Sequence, residues 1–133
     1  MIVARAPLRI SFAGGGSDCP GFYSRHPGAV LSMTIRRHVT VRLVHEDRRV
    51  TLTSDCDCPR GSGLGGSSAF AVASLAATYA HFKRPWDREH LAELAYRVER
   101  VEMGVAGGKQ DQYAAAFGGL NLIEFYERGV HVT

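Results

Sequence analysis

The stretch Pro59-Arg60-Gly61-Ser62-Gly63-Leu64-Gly65-Gly66-Ser67-Ser68-Ala69 runs directly into an alanine-rich apolar segment, Phe70 to Phe82. Glycines allow positive φ and let a ligand approach bare amides. A serine at a helix start satisfies an orphan N–H group, or binds a phosphate or a metal. The first N–H groups of a helix are unpaired and carry partial positive charge. The stretch therefore reads as a cradle for a polyphosphate at a helix N-terminus. A helix cap alone needs one Ser or Gly, not this density of both.

Other glycine-rich loops fit less well. No Lys-Ser or Lys-Thr follows the last glycine, so this is not a Walker A sequence. Gly61, Gly63 and Gly66 match the dinucleotide spacing G-x-G-x-x-G. That fingerprint also needs a buried strand entering the first glycine and an acid at a strand end about 20 positions on. Asp55-Cys56-Asp57-Cys58-Pro59 is no buried strand, and Asp87 and Glu89 open a helix. A dinucleotide-binding oxidoreductase rests on glycine spacing alone.

Length and composition narrow the class. A chain of 133 residues with 45% hydrophobic and 22% charged content is a globular domain large enough for a core. No apolar run reaches membrane-spanning length and Met1 to Pro7 lacks a signal-peptide layout, so a cytoplasmic protein without a membrane partner is expected. The net charge of +3 comes from scattered arginines. It forms no basic stripe of the kind that binds nucleic acid, and arginine equally suits an anionic small molecule. Three cysteines, an odd number, read as reduced thiols. Cys56-x-Cys58 offers two of the four ligands that a zinc site requires.

Periodicity gives an α+β order, strands before helices. Ile2–Ala6 and Leu8–Phe12 read as strands around Pro7. Ala29–Ile35, His38–His45 and Val50–Thr53 follow as further strands. Ser67 to about Phe82 is a helix. A second starts at Asp87, with Leu91, Leu94, Ala95, Val98 and Val101 on one apolar face. A third covers Gln110 to Phe117 and stops at Gly118-Gly119, and Leu120–Tyr126 is a last strand.

Two more clusters carry chemistry. Arg9-Ile-Ser-Phe-Ala-Gly14-Gly15-Gly16-Ser17-Asp18 brings a base and an acid together across a glycine turn. Glu99 to Gly119 holds Lys109 and Asp111 where a glycine-rich loop feeds a helix.

Taken together, these segments resemble the GHMP kinases (galacto-, homoserine, mevalonate and phosphomevalonate kinases). Pro59-x-x-x-Gly63-Leu64-Gly65-x-Ser67-Ser68-Ala69 matches the family's phosphate loop. Ala6-Pro7-Leu8-Arg9 with Gly14–Asp18 resembles its N-terminal sugar-contacting motif. Gly107–Gln112, running on through Phe117-Gly118-Gly119-Leu120-Asn121, looks most like its heptose phosphate kinases. The resemblance implies a ribosomal-protein-S5-domain-2-like fold, a mixed or antiparallel sheet with helices on one face. It implies ATP-dependent phosphoryl transfer to a sugar or sugar phosphate. ATP would lie on Pro59, Gly61, Ser62, Gly63, Leu64, Gly65, Gly66, Ser67 and Ser68. Substrate would meet Arg9, Gly15, Gly16, Ser17, Asp18, Gly108 and Asp111. Asp111, Arg9 and Lys109 would be catalytic, Asp111 as base or as positioning group. Mg²⁺ would sit on Ser67 and Glu99, with Glu102 the alternative to Glu99.

The chain also departs from the family. Gly66 stands where most members have serine. Only Ser54–Cys58 replaces a longer segment before the loop, and residues 1–133 correspond to the N-terminal, ATP-binding half without a C-terminal domain. A catalytically silent binding unit, one half of a split kinase, a homo-oligomer, or a partner for a complementing C-terminal domain are the readings that this leaves open.

Overall fold

The computed structural model describes residues 1–133. In chain order the elements are β1 (Ile2–Ala13), α1 (Pro20–Tyr23), β2 (Gly28–Glu46), β3 (Arg49–Cys56), α2 (Gly66–His81) and α3 (Arg88–Tyr96). A π-helical turn (Arg97–Glu102) extends α3, and α4 (Gln110–Phe117), β4 (Leu120–Tyr126) and β5 (Gly129–Val132) complete the chain. No helix is long and apolar enough to cross a membrane.

β2 is the spine of a five-stranded sheet. β1 runs along one of its edges, from Ile2 opposite Leu43 to Ala13 opposite Leu31. Its other edge takes β3 near Leu43 and β4 near Leu31, with β5 outermost on β4. Every pairing is antiparallel.

Val39, Val41 and Leu43 alternate along β2 and bury one face, together with Ala6 and Leu8 of β1. α2 covers them with Ala69, Val72, Ala73 and Ala77. These small side chains let helix and sheet backbones approach closely. A second cluster joins Val30, Ile123 and Phe125 of the sheet to Ala92, Tyr113 and Ala114 of α3 and α4. The helices thus share one face of the sheet. The N-terminal ends of α2 and α4 meet the turn that follows α3, through Ser67, Gln112 and Glu99, while Arg88 at the start of α3 reaches Phe117 at the end of α4.

Three local expectations need correction. β1 passes through Pro7 and β2 through Arg36-Arg37, so two strand pairs are two long strands. The register slips between Pro7 and Arg9. An irregularity of this kind is how a sheet tolerates a residue without an N–H group. β5, only four residues after the Glu127-Arg128 turn, carried too short an alternation to read. Finally, Val101 is not on the buried face of a continuing α-helix. The backbone widens at Arg97, Val101 is 63% exposed, and Glu99 faces inward instead.

Candidate active site

The N-terminus of α2 is bare. Gly65 occupies the cap position at φ +75 and no side chain caps the first turn. The left-handed backbone here requires glycine, and a β-carbon would also press on Arg9 Cγ. The first amides of the helix therefore remain free to meet an anion. They open into a cleft of about 680 Å³ whose walls include Pro59, Gly61, Ser62, Gly63, Gly65, Gly66, Ser67 and Ser68. Arg9, Arg100, Asp111 and Cys56 complete its rim. Leu64 does not line it. Its carbonyl accepts the backbone N–H of Arg9 at 2.9 Å.

Arg9 ties the loop to α4. Its Nη1 donates to the Gly63 carbonyl at 2.7 Å. Its Nε donates to Asp111 Oδ1 at 2.8 Å, and Nη2 lies 2.6 Å from the same oxygen. The pair is largely buried, with side-chain exposures of 13% and 20%. A planar fork can hold a carbonyl and a carboxylate in one geometry, as an ammonium cannot. Asp111 occupies the first turn of α4, where the helix dipole also favours negative charge.

Ser67 and Glu99 meet. The Ser67 hydroxyl donates to Glu99 Oε1 at 2.7 Å, and Gln112 Nε2 donates to Oε2 at 2.7 Å. Glu99 is 4% exposed. The widened turn after α3 is what carries its carboxylate inward. Glu102 points outward and pairs with Arg97 at 3.6 Å. Gln112 Oε1 is buried without a partner. These are hard oxygen donors of the kind that Mg²⁺ prefers. No three His, Cys, Asp or Glu side chains converge anywhere in the chain. This donor set suits a cation that takes most of its ligands from phosphates and water rather than from a protein cage.

Asp18 sits behind the cleft rather than on its wall. It is 2% exposed. Its carboxylate accepts from Gly16 N at 3.0 Å, Gln110 N at 3.1 Å and Gln110 Nε2 at 3.3 Å. It thus welds the Gly14–Ser17 turn to the start of α4. A β-carbon on Gly108 would overlap this carboxylate. Ser17 Oγ is likewise engaged, donating toward the carbonyls of Gly14 and Ala29 and accepting from Ala29 N. Gly15 lies beside the Gln110 amide, and Gly16 adopts φ +94 with open space around it.

Lys109 departs most from expectation. It does not reach Asp111. Its Nζ bonds both Glu93 oxygens, at 2.8 and 3.1 Å, and lies 4.8 Å from the centre of the Tyr96 ring. Helical spacing explains this: Lys109 is the cap residue of α4 and Asp111 lies two positions on, so their side chains diverge. Tyr113 OH donates to the same Glu93 at 2.6 Å. Burial, and then this bond to a carboxylate, push the Tyr113 phenol well above the ordinary tyrosine range. Burial also raises the Cys19 thiol, assisted by Asp18.

Sequence reading missed Arg100, Gln112 and Glu93. It weighed Cys56 only with Cys58, as a thiol of the segment before the loop, whereas Cys56 ends β3 and lines the cleft. Arg100 and Gln112 could be found only by knowing where the helix after Tyr96 widens.

A glycine-serine helix N-terminus, an arginine–aspartate pair across it and a buried glutamate on its first serine converge at one end of an α+β domain. The sequence profile described as the GHMP kinases N terminal domain matches residues 31–119. The chain belongs to the GHMP kinase family. It is 31% identical to the D-glycero-alpha-D-manno-heptose 7-phosphate kinase of Campylobacter jejuni over 172 aligned positions, which take in 94% of this chain and 51% of that protein. It is 33% identical to a mevalonate kinase of Archaeoglobus fulgidus over 84% of this chain and 36% of that one. Among solved structures, a D-glycero-D-manno-heptose 1-phosphate kinase from Bacteroides thetaiotaomicron superposes with a TM-score of 0.96 at 29% identity. That match spans all of this chain and 59% of the other. The chain thus spans about half the length of the Campylobacter relative, and about a third of the Archaeoglobus one.

Proposed function

We propose that the chain is the nucleotide-binding half of an ATP-dependent kinase that phosphorylates a hydroxyl of a sugar or sugar phosphate, of the heptose phosphate class. The observation that carries this reading is the Arg9 fork, which joins the phosphate-loop carbonyl of Gly63 to Asp111. It sets a carboxylate beside the place where a terminal phosphoryl group would lie. Phosphoryl transfer depends on positioning and charge neutralisation more than on covalent chemistry by the protein.

In this reading the free amides from Gly65 to Ser68 hold the nucleotide phosphates. Asp111 orients the acceptor hydroxyl and takes its proton as the oxygen attacks the phosphorus and the bond to the leaving ADP oxygen breaks. Arg9 holds Asp111 in place and offsets charge at the transferring group. Mg²⁺ on Ser67 and Glu99 would neutralise the phosphate oxygens. Asp18, Gly15, Gly16, Ser17 and Gly108 shape the acceptor side, Asp18 through the turn that it fastens. Lys109 serves by holding α4 against α3.

We read residues 1–133 as an N-terminal domain with a shortened connection near residues 54–58, completed by a C-terminal domain and working in the cytoplasm. The alignment with the Campylobacter relative covers 172 positions, more than the 133 of the whole chain, and so carries gaps on this side. This supports a shortened segment. The half-length match favours, as second reading, a unit that binds ligands and turns over only when complemented.

Calorimetric titration with Mg-ATP tests the site. Saturable binding is expected, weakened about tenfold by Ser67→Ala, since a charge-assisted contact contributes about 1.5 kcal/mol. Asp111→Asn should retain that binding and abolish heptose phosphate turnover. Binding indifferent to Ser67, or turnover surviving without Asp111, would overturn the assignment.

A further inference from the structure

Beyond the phosphate cradle the cleft has a second wall. Its volume of about 680 Å³ suits a whole small molecule rather than a phosphate chain alone. β1 and β3 flank β2 on opposite edges. From the β1 edge, Arg9 holds Asp111. From the β3 edge, Ser54 and Cys56 line the cleft, with Val39 of β2 beside them. Ser54 lies opposite Val41 and Cys56 opposite Val39, so both face the helices, as those core valines do. A β-carbon on Gly66 would stand 4.0 Å from both Cys56 Sγ and Leu8 Cδ2, so that stripe of α2 faces the sheet by the end of β3. Phe70 follows Gly66 by one turn, about 6 Å along the axis, and helical side chains lean back toward the helix start. Phe70 lines the cleft with Ser54 and Cys56, and it is 41% exposed.

The direction of a bound nucleotide follows. In the proposed reaction its terminal phosphoryl group faces Asp111, so the nucleoside extends the other way, to the β3 wall. Val39, Ser54, Cys56 and Phe70 make that wall neutral and largely apolar. Phe70 offers a ring to stack on, and every base has a π-face. Strong discrimination between bases needs buried polar groups that a wrong partner would leave unpaired. Ser54 and Cys56 are exposed instead. A hydroxyl donates or accepts as the base requires, and a thiol does either weakly. We infer that this wall is a nucleobase platform without base discrimination, with Phe70 as its stacking surface. The site thus takes purine and pyrimidine nucleoside triphosphates alike. The inference rests on the proposed phosphate cradle and extends it from the phosphates to the base.

The test is calorimetric titration of the full chain with the Mg²⁺ complexes of ATP, GTP, CTP and UTP, and of inorganic tripolyphosphate. The four nucleotides are expected to bind within about tenfold of one another, and each about tenfold or more tighter than tripolyphosphate, the yield of one stacked base. Phe70→Ala should remove most of that advantage from all four and leave tripolyphosphate within about twofold. Phe70→Trp, which restores a stacking face, should keep it. One base preferred by more than about tenfold overturns the inference. So does a Phe70→Ala variant that keeps the nucleotide advantage, or one whose loss falls equally on tripolyphosphate, as a merely structural role would require. Tripolyphosphate that binds as tightly as the nucleotides leaves the cradle standing and overturns the base site. A chain that binds none of the five refutes the cradle, and the base site with it. If Phe70→Ala does not fold, Phe70→Leu, which keeps apolar volume without a π-face, takes its place and is judged by the same outcomes.

Discussion

Glu99 owes its position to a single extra residue in the turn that follows α3. Its carboxylate is buried, and two donors, Ser67 Oγ and Gln112 Nε2, compensate for the lost water. Removing it strands both. Glu99→Ala should cost about 2–3 kcal/mol of stability through unpaired buried polar groups, measurable by urea unfolding. Glu99→Gln should hold the fold and weaken the Mg²⁺ dependence of ATP binding. Equal Mg²⁺ dependence in both proteins would remove Glu99 from the metal site. The glycines divide by the same local test. Gly66 has a right-handed helical backbone, and a β-carbon there would meet only Cys56 Sγ and Leu8 Cδ2, both at 4.0 Å. Gly66→Ser should change stability by no more than about 0.5 kcal/mol and should not weaken Mg-ATP. Gly108→Ala places its methyl on the Asp18 carboxylate and should cost about 3 kcal/mol. Two glycines in neighbouring motifs thus differ in need. Sequence alone flagged Gly66 as the anomaly, because only coordinates show that its surroundings are empty.

At the scale of elements, sequence patterns located the helices well, because Asp87, the Gly-Ser loop and Gly118-Gly119 are strong start and stop signals with a physical basis. Asp87 does cap α3, accepting from His90 N at 2.7 Å. Strand ends were less legible. β2 is continuous through Arg36-Arg37 because its inward phase changes there: Val30 and Ser32 face the helices before it, Val39 and Val41 after it. No period-2 pattern survives such a change. Helix-to-helix pairing was also beyond reach, and Lys109 shows why. Its partner, Glu93, lies 16 positions away on α3. The Lys109–Glu93–Tyr113 cluster fastens α4 to α3 and so sets the angle at which Asp111 leaves α4. Tyr113 then has a pH signature. Its folded-state phenol titrates above its unfolded value, chiefly through burial and then through the bond to Glu93. This contribution to stability is therefore complete below about pH 10 and falls as pH rises beyond it, because only the unfolded chain then releases the proton. Thermal unfolding between pH 8 and pH 11 should show a decline that begins near pH 10. Tyr113→Phe should be less stable at pH 8, by about 1–2 kcal/mol, with a shallower decline. An identical slope in both proteins would assign the alkaline loss to other groups.

The whole molecule has one face of its sheet covered and the other bare. The bare side is polar near Arg5, Arg42 and Asp55, but apolar where β1, β2 and β4 run side by side. There Ile10 lies opposite Met33 and Met33 opposite Leu120, while Leu31 lies opposite Leu122. Phe12 adds the next outward position of β1. All six are more than a third exposed, and Leu120 reaches 63%. Monomeric proteins seldom leave so contiguous an apolar patch in water, since each covered side chain gains about 1.5–3 kcal/mol. The isolated chain should therefore associate through this face. Sedimentation velocity should show a mean mass that rises with concentration, and Leu31→Lys with Leu122→Lys should return it to the monomer. The charges point away from the core, so circular dichroism and the unfolding midpoint should be nearly unchanged, within about 0.5 kcal/mol per site. Mg-ATP affinity should be unchanged too, because the cleft opens among the helices on the opposite face, where Arg9 turns toward Asp111. A wild type that stays monomeric at every concentration would mean that these six residues tolerate water singly. An associating double variant would place the contact elsewhere, most simply on the unpaired outer edge of β1, where backbone amides rather than side chains would join two copies.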